Sequence, residues 1–141
     1  MAHAAVPVIA IVILTFVGCS PALPTPVLAR HPRSDYQPVP YPPPAAFSEV
    51  VPERPRPAAV WIDGHWAWQS GGFFWERGGW LLAPRGARFA PWRLRYAPDG
   101  TLLFAEDSWY GADLRPIPTP QLLLPAITPS NELTPESEHG F

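Results

Sequence analysis

Asp63, His65 and Glu76 are the only grouped side chains in the aromatic middle of this chain whose types suit acid–base or metal chemistry. Set opposite each other on two strands, His65 and Glu76 would make a proton-transfer couple or half of a metal site. A metal needs a third ligand and a surrounding set of hydrogen bonds to orient the first shell, and the sequence offers neither. The expectation is therefore an exposed cross-strand pair, with no metal, no cofactor and no catalysis. His31 and His139 stand in proline-rich text without ligand spacing. The run Ser70-Gly71-Gly72 reads as a turn, because no helix follows it to build a phosphate loop. A second cluster, Arg85, Arg88, Arg93 and Arg95, could meet an anionic glycan or headgroup. The favoured reading is a solvated face balanced by Glu106 and Asp107.

The remaining reactive group is the single cysteine, Cys19. It closes an apolar run, Ala4 to Gly18, that is shorter than the roughly 20 residues needed to cross a bilayer but suits an export signal. Phe16-Val17-Gly18-Cys19 resembles the lipobox of bacterial lipoproteins, with Phe16 where leucine is usual. The resemblance implies cleavage before Cys19 and acylation of its thiol. A cut after Ser20 would place Pro21 first, and its locked φ and missing N–H suit a peptidase cleft poorly. Acyl burial at about 0.8 kcal/mol per CH₂ makes several chains an effectively permanent membrane anchor. With Cys19 so used, no disulfide can form in the mature chain.

These groups need elements to position them, and composition shows where those elements lie. The chain has 22 prolines in 141 residues, about three times the usual frequency. Twelve fall between Cys19 and Ala59 and six between Pro116 and Phe141, against three from Val60 to Arg115, the stretch that holds all seven tryptophans. This predicts a signal peptide over 1–18 and an extended polyproline tether over 19–59, long enough to hold a domain far from a membrane. A tryptophan-rich β domain would follow over 60–115, then a disordered tail over 116–141, in which Leu122 to Leu124 form a short edge strand or a sticky spot. The domain carries six arginines against six carboxylates, so no overall field draws nucleic acid.

Within 60–115, aromatic and β-branched runs broken by glycine turns predict an all-β antiparallel meander of two hairpins, about four strands. In the second hairpin, Ala97-Pro98-Asp99-Gly100 predicts a three-residue loop that sets Tyr96 opposite Leu102 and Leu94 opposite Phe104. Trp92, Leu94, Tyr96, Leu102 and Phe104 then share a buried face, with Arg93, Arg95 and Asp107 on the other. In the first, the pattern W-x-x-G-x-W occurs twice, as Trp61-x-x-Gly64-x-Trp66 and Trp75-x-x-Gly78-x-Trp80. Tryptophans five apart point to opposite faces of a straight strand, so the glycine should mark either a bulge or a turn. Two-residue turns at Asp63-Gly64 and Arg77-Gly78 would set Trp61 against Trp66. A single turn at Ser70-Gly71, the preferred arrangement, pairs Trp66 with Trp75, Trp61 with Trp80, Trp68 with Phe73 and His65 with Glu76.

The tandem motif resembles the WxxGxW or YxWGxW repeat proteins of bacterial envelopes, small chains that are often lipoproteins. Asp63 and Arg77 stand where that family frequently has proline before the glycine. The resemblance implies export and β structure and no particular activity. A small sheet has two faces, and nothing in the flanks looks able to cover the second. Trp61, Trp66, Trp68, Trp75 and Trp80 are therefore the candidate ligand-binding residues, an exposed ladder to stack on envelope polysaccharide or dock on a protein partner. The expected protein is a non-enzymatic, lipid-anchored component of the bacterial cell envelope, at the outer membrane or facing the periplasm.

Overall fold

A computed structural model describes residues 22–128. The export run, Cys19 and the last thirteen residues of the tail lie outside them. The described chain is all-β, with eleven short strands and a three-residue 3-10 turn, Arg33–Asp35. The strands are β1 (Gln37–Pro38), β2 (Val60–Ile62), β3 (His65–Gln69), β4 (Gly72–Glu76), β5 (Gly79–Leu81), β6 (Arg88–Ala90), β7 (Arg93–Tyr96), β8 (Leu102–Ala105), β9 (Ser108–Tyr110), β10 (Pro116–Ile117) and β11 (Leu122–Pro125). They form four small antiparallel sheets, ordered β1-β8-β7, β10-β9-β6, β11-β5-β2 and β3-β4. Among the described residues no helix is long and apolar enough to cross a membrane.

Both hairpins have the expected register. β3 and β4 join through Ser70 and Gly71, whose φ values of 50° and 81° are both positive, the twist that two antiparallel strands need from a two-residue turn. The pairs are His65–Glu76, Trp66–Trp75 and Trp68–Phe73, while Trp61 meets Trp80 in the neighbouring β2–β5 ladder. In the β7–β8 loop, Gly100 has φ 86° and the Asp99 carboxylate accepts from the Thr101 amide at 2.9 Å. Tyr96 pairs with Leu102 and Leu94 with Phe104. Tyr96 nevertheless does not join the buried face. It sits at the end of the hairpin and is 70% exposed.

The glycine of W-x-x-G-x-W marks neither a bulge nor a turn. Two residues, Asp63 and Gly64, lie between Ile62 and His65, and two, Arg77 and Gly78, between Glu76 and Gly79, so both ladders keep one register across the gap. What changes there is the sheet: β2 and β5 belong to one, β3 and β4 to another. The two backbones cross so closely that a Cβ on Gly78 would lie 2.5 Å from the Ile62 carbonyl oxygen and 2.5 Å from the Gly64 nitrogen. Glycine is required at Gly78 by backbone contact and at Gly64 by the Trp75 ring and the Glu49 carboxylate, and no inserted residue is involved.

The flanks depart most from expectation. Residues 22–59 are no free tether, and the tail as far as residue 128 is no loose coil. Val39 donates to the Leu102 carbonyl and β1 extends the β7–β8 hairpin. The Leu28 strip runs beside β6, with Phe89 donating to Val27 and Ala29 donating to Phe89, each at 2.8 Å. From the other end, β10 pairs with β9 and β11 with β5, and Val50 bridges Ile127. The physical reason is that proline loses its N–H and keeps its carbonyl. A proline-rich strip can therefore line a sheet edge as an acceptor, the position in which proline is tolerated in sheets. Pro24 accepts from the Trp61 amide at 2.7 Å and Pro52 from the Trp80 indole at 2.8 Å. The flanks also complete the core. Ala59 and Ala126 close over Trp61 and Trp80, and Val39 packs with Leu102 and Phe104.

Candidate functional site

Three of the five candidate ligand-binding tryptophans are structural. Trp61, Trp66 and Trp80 are 3%, 6% and 2% exposed, so the expected open ladder does not form. Trp61 and Trp80 pack edge to face with centroids 5.4 Å apart, as do Trp66 and Trp75 at 5.2 Å. Trp68 and Trp75 stay half-buried. Trp68 lies in an aromatic chain with Tyr41 and Phe73. Trp75 lies at the bend, against Phe47 at 5.2 Å.

The bend is organised by Glu49, a residue of the proline-rich flank. Its Oε2 accepts from the amides of Gly64 at 3.1 Å and Gly78 at 3.0 Å, and its Oε1 accepts from the Trp75 indole at 3.0 Å. The two glycine N–H groups stand where the ladder is interrupted and have no strand partner, so the carboxylate replaces the missing pairing with charge-assisted bonds. Asp63, beside it, accepts from the Trp61 indole at 2.7 Å. Around these groups opens a groove of about 360 Å³ lined by Phe47, Glu49, Asp63, Trp75 and Trp92 and the edge of Trp61. It offers aromatic faces and carboxylate acceptors to whatever enters.

Sequence reasoning did not reach Phe47, Glu49 or Trp92 as parts of this groove. The signal available was Phe47-Ser48-Glu49-Val50-Val51, an apolar and acidic interruption of the proline text, the kind of stretch that has something to bury.

His65 is not an exposed partner of Glu76. It is buried at 5% exposure, and Asp107, from the β8–β9 connection, brings Oδ1 to 2.7 Å from Nε2, with Glu76 Oε2 at 3.4 Å. The ring N–H is not ideally aligned on either oxygen, but at this separation Asp107 acts on it through hydrogen bonding first and charge second. Burial works to lower the imidazole pKa. Asp107, Glu76 and the Asp63 backbone outweigh it, and the pKa is raised above its usual 6.5. The folded chain thus holds this proton more tightly than the unfolded one. The stabilisation is complete below the unfolded value of 6.5 and is lost as the pH rises through the higher folded value. Urea midpoints are expected to fall as the pH rises above 6.5 and through the higher folded value, and Asp107→Asn should flatten that dependence. An unchanged slope in the variant would show that another group carries it.

Among the described residues no group of three His, Cys, Asp or Glu side chains is placed to hold a metal ion. Compared with protein-family models, with curated proteins and with solved structures, the chain matches none.

Proposed function

We propose that this is a non-enzymatic, lipid-anchored protein of the bacterial cell envelope, with a structural or protein-interaction role exercised through its tryptophan-rich sheets. The observation that carries the reading is the groove at the bend, where the half-buried Trp75 indole is held in place by Glu49 beside a second half-buried ring, Trp92. His65, the buried titratable ring, is enclosed by its two carboxylates and cannot reach a substrate. The apolar run ending in Gly18-Cys19, and the tandem W-x-x-G-x-W with its resemblance to envelope repeat proteins, support export and anchoring. Mass spectrometry of the mature amino terminus from membranes is expected to find an acylated Cys19 as first residue. A full-length unmodified chain would overturn the anchoring.

A second reading, binding of peptidoglycan or another envelope polysaccharide, is favoured by one feature. Half-buried Trp75 and Trp92 lie beside the Asp63 and Glu49 carboxylates, a pairing of flat apolar faces with hydroxyl acceptors that suits a sugar ring. Trp92→Ala is then expected to weaken cosedimentation with purified sacculi roughly tenfold. If the wild-type chain stays in the supernatant, the polysaccharide reading fails and the protein-interaction role stands.

A further inference from the structure

The arginines were expected to be balanced by Glu106 and Asp107, and the structure spends both carboxylates elsewhere. Glu106 Oε1 accepts from the Trp68 amide at 2.8 Å, and Asp107 holds His65. The flank adds two more guanidinium groups. The backbone bonds between residues 27–29 and Phe89 bring Arg30 beside Arg88, and the 3-10 turn contributes Arg33.

The result is a continuous band. Arg85 and Arg88 line one concavity, Arg88 and Arg30 a second, Arg30 and Arg93 a third, and Arg95 and Arg33 a fourth. Arg95 lies 3.8 Å over the ring of Tyr36, which itself lines the concavity of Arg30 and Arg93. All six arginines are exposed, and among the described residues none is paired with a carboxylate. Asp35, the acidic side chain within the band, accepts from the Tyr110 hydroxyl and faces His31 Nδ1 at 3.3 Å. The chain as a whole has a net charge of −2, so this concentration is local.

We infer that the arginine band docks on a membrane surface bearing anionic headgroups, holding the domain flat against the bilayer. The inference rests on the anchored reading of Cys19 for its orientation. Because residues 22–59 are folded onto the sheets, only Ser20 and Pro21 separate Cys19 from Ala22, where the described chain starts, a reach of about 10 Å at most. That is close to the Debye length of about 8–10 Å over which surface charge acts. Thr25, Pro26 and Val27, just after that start, line the same concavity as Arg85 and Arg88. The start of the described chain and the cationic band therefore lie together. A tether of the expected length would have carried the arginines out of range.

The test separates the band from the anchor by using the full chain with Cys19→Ser. Its cosedimentation is compared on vesicles of phosphatidylcholine alone and of phosphatidylcholine mixed with phosphatidylglycerol. The apolar amino-terminal run contributes equally to both, so the readout is the ratio. The chain is expected to prefer the mixed vesicles and to lose that preference at high salt. Arg30→Gln should reduce it about fivefold, and the triple change of Arg30, Arg88 and Arg93 to glutamine about a hundredfold. Far-UV dichroism and the tryptophan emission maximum verify the fold of each variant. Arg56→Gln with Arg77→Gln, which line none of these concavities, should leave the ratio unchanged. Equal binding to both vesicles, retention of the preference by a folded Arg30→Gln or triple variant, or capture by a soluble anionic polysaccharide but not by vesicles would overturn the inference. An unacylated mature terminus combined with a persistent preference would remove the anchor and leave the band.

Discussion

Replacing Glu49 with alanine is expected to destabilise the protein by about 3 kcal/mol, a large share of the 5–15 kcal/mol typical of a domain. The carboxylate accepts three hydrogen bonds at once, from the Gly64 and Gly78 amides and from the Trp75 indole. Bonds to a charged acceptor contribute roughly 1.5–3 kcal/mol each, but they share one side chain and do not add. The loss leaves two interrupted backbone donors without a partner beneath Phe47 and Trp75. Glu49→Gln keeps an acceptor oxygen and loses the charge, so roughly half the effect is expected from it. Urea unfolding followed by tryptophan fluorescence measures both. A shift within about 0.5 kcal/mol for the alanine variant, as at an ordinary surface site, would mean that Glu49 does not hold the bend.

Gly78→Ala is expected to be at least as damaging, at about 3 kcal/mol or more, by a different route. The added methyl would lie 2.5 Å from the Ile62 carbonyl oxygen and the Gly64 nitrogen and 2.7 Å from the Asp63 carbonyl carbon, all of them backbone atoms that cannot rotate aside. Relief requires the two strands to separate, which breaks the Trp61–Trp80 and Trp66–Trp75 contacts on either side. Gly71→Ala is the natural comparison. Its Cβ would meet nothing within 4 Å, and the cost there comes only from φ 81°, about 1 kcal/mol. Equal midpoints for the two variants would show that the bend tolerates a side chain and that the glycine spacing has another cause.

The hairpins were legible because alternation and turn chemistry are local. Once Ser70-Gly71 is the turn, the positions of Trp61, Trp66, Trp75 and Trp80 follow by counting. The fate of the flanks was not legible, because proline composition reports the loss of donors and is silent about acceptors. Pro24 and Pro52 serve the sheets through carbonyls that every residue has. The site was only partly visible for the same reason. Glu49 acts across 29 residues on Gly78, and Asp107 reaches His65 from the far side of the second hairpin. Nothing in the spacing of those residues marks them as neighbours. The half-buried Trp75 was among the expected residues, whereas Trp92, read as a core position of the second hairpin, proves to border the groove.

The interleaving of the termini with the sheets also governs how the chain can assemble. β5 is flanked on one side by β2 and on the other by β11, which is more than forty residues further along, and the bend between the β11-β5-β2 sheet and the β3-β4 sheet is held by Glu49. Such long separations make folding slow, because closure entropy is lost before the contacts return it. A polypeptide still emerging from its synthesis, or partly threaded through a channel, can pair β3 with β4 but cannot finish the sheet around β5. That sheet keeps an open edge until β11 is delivered.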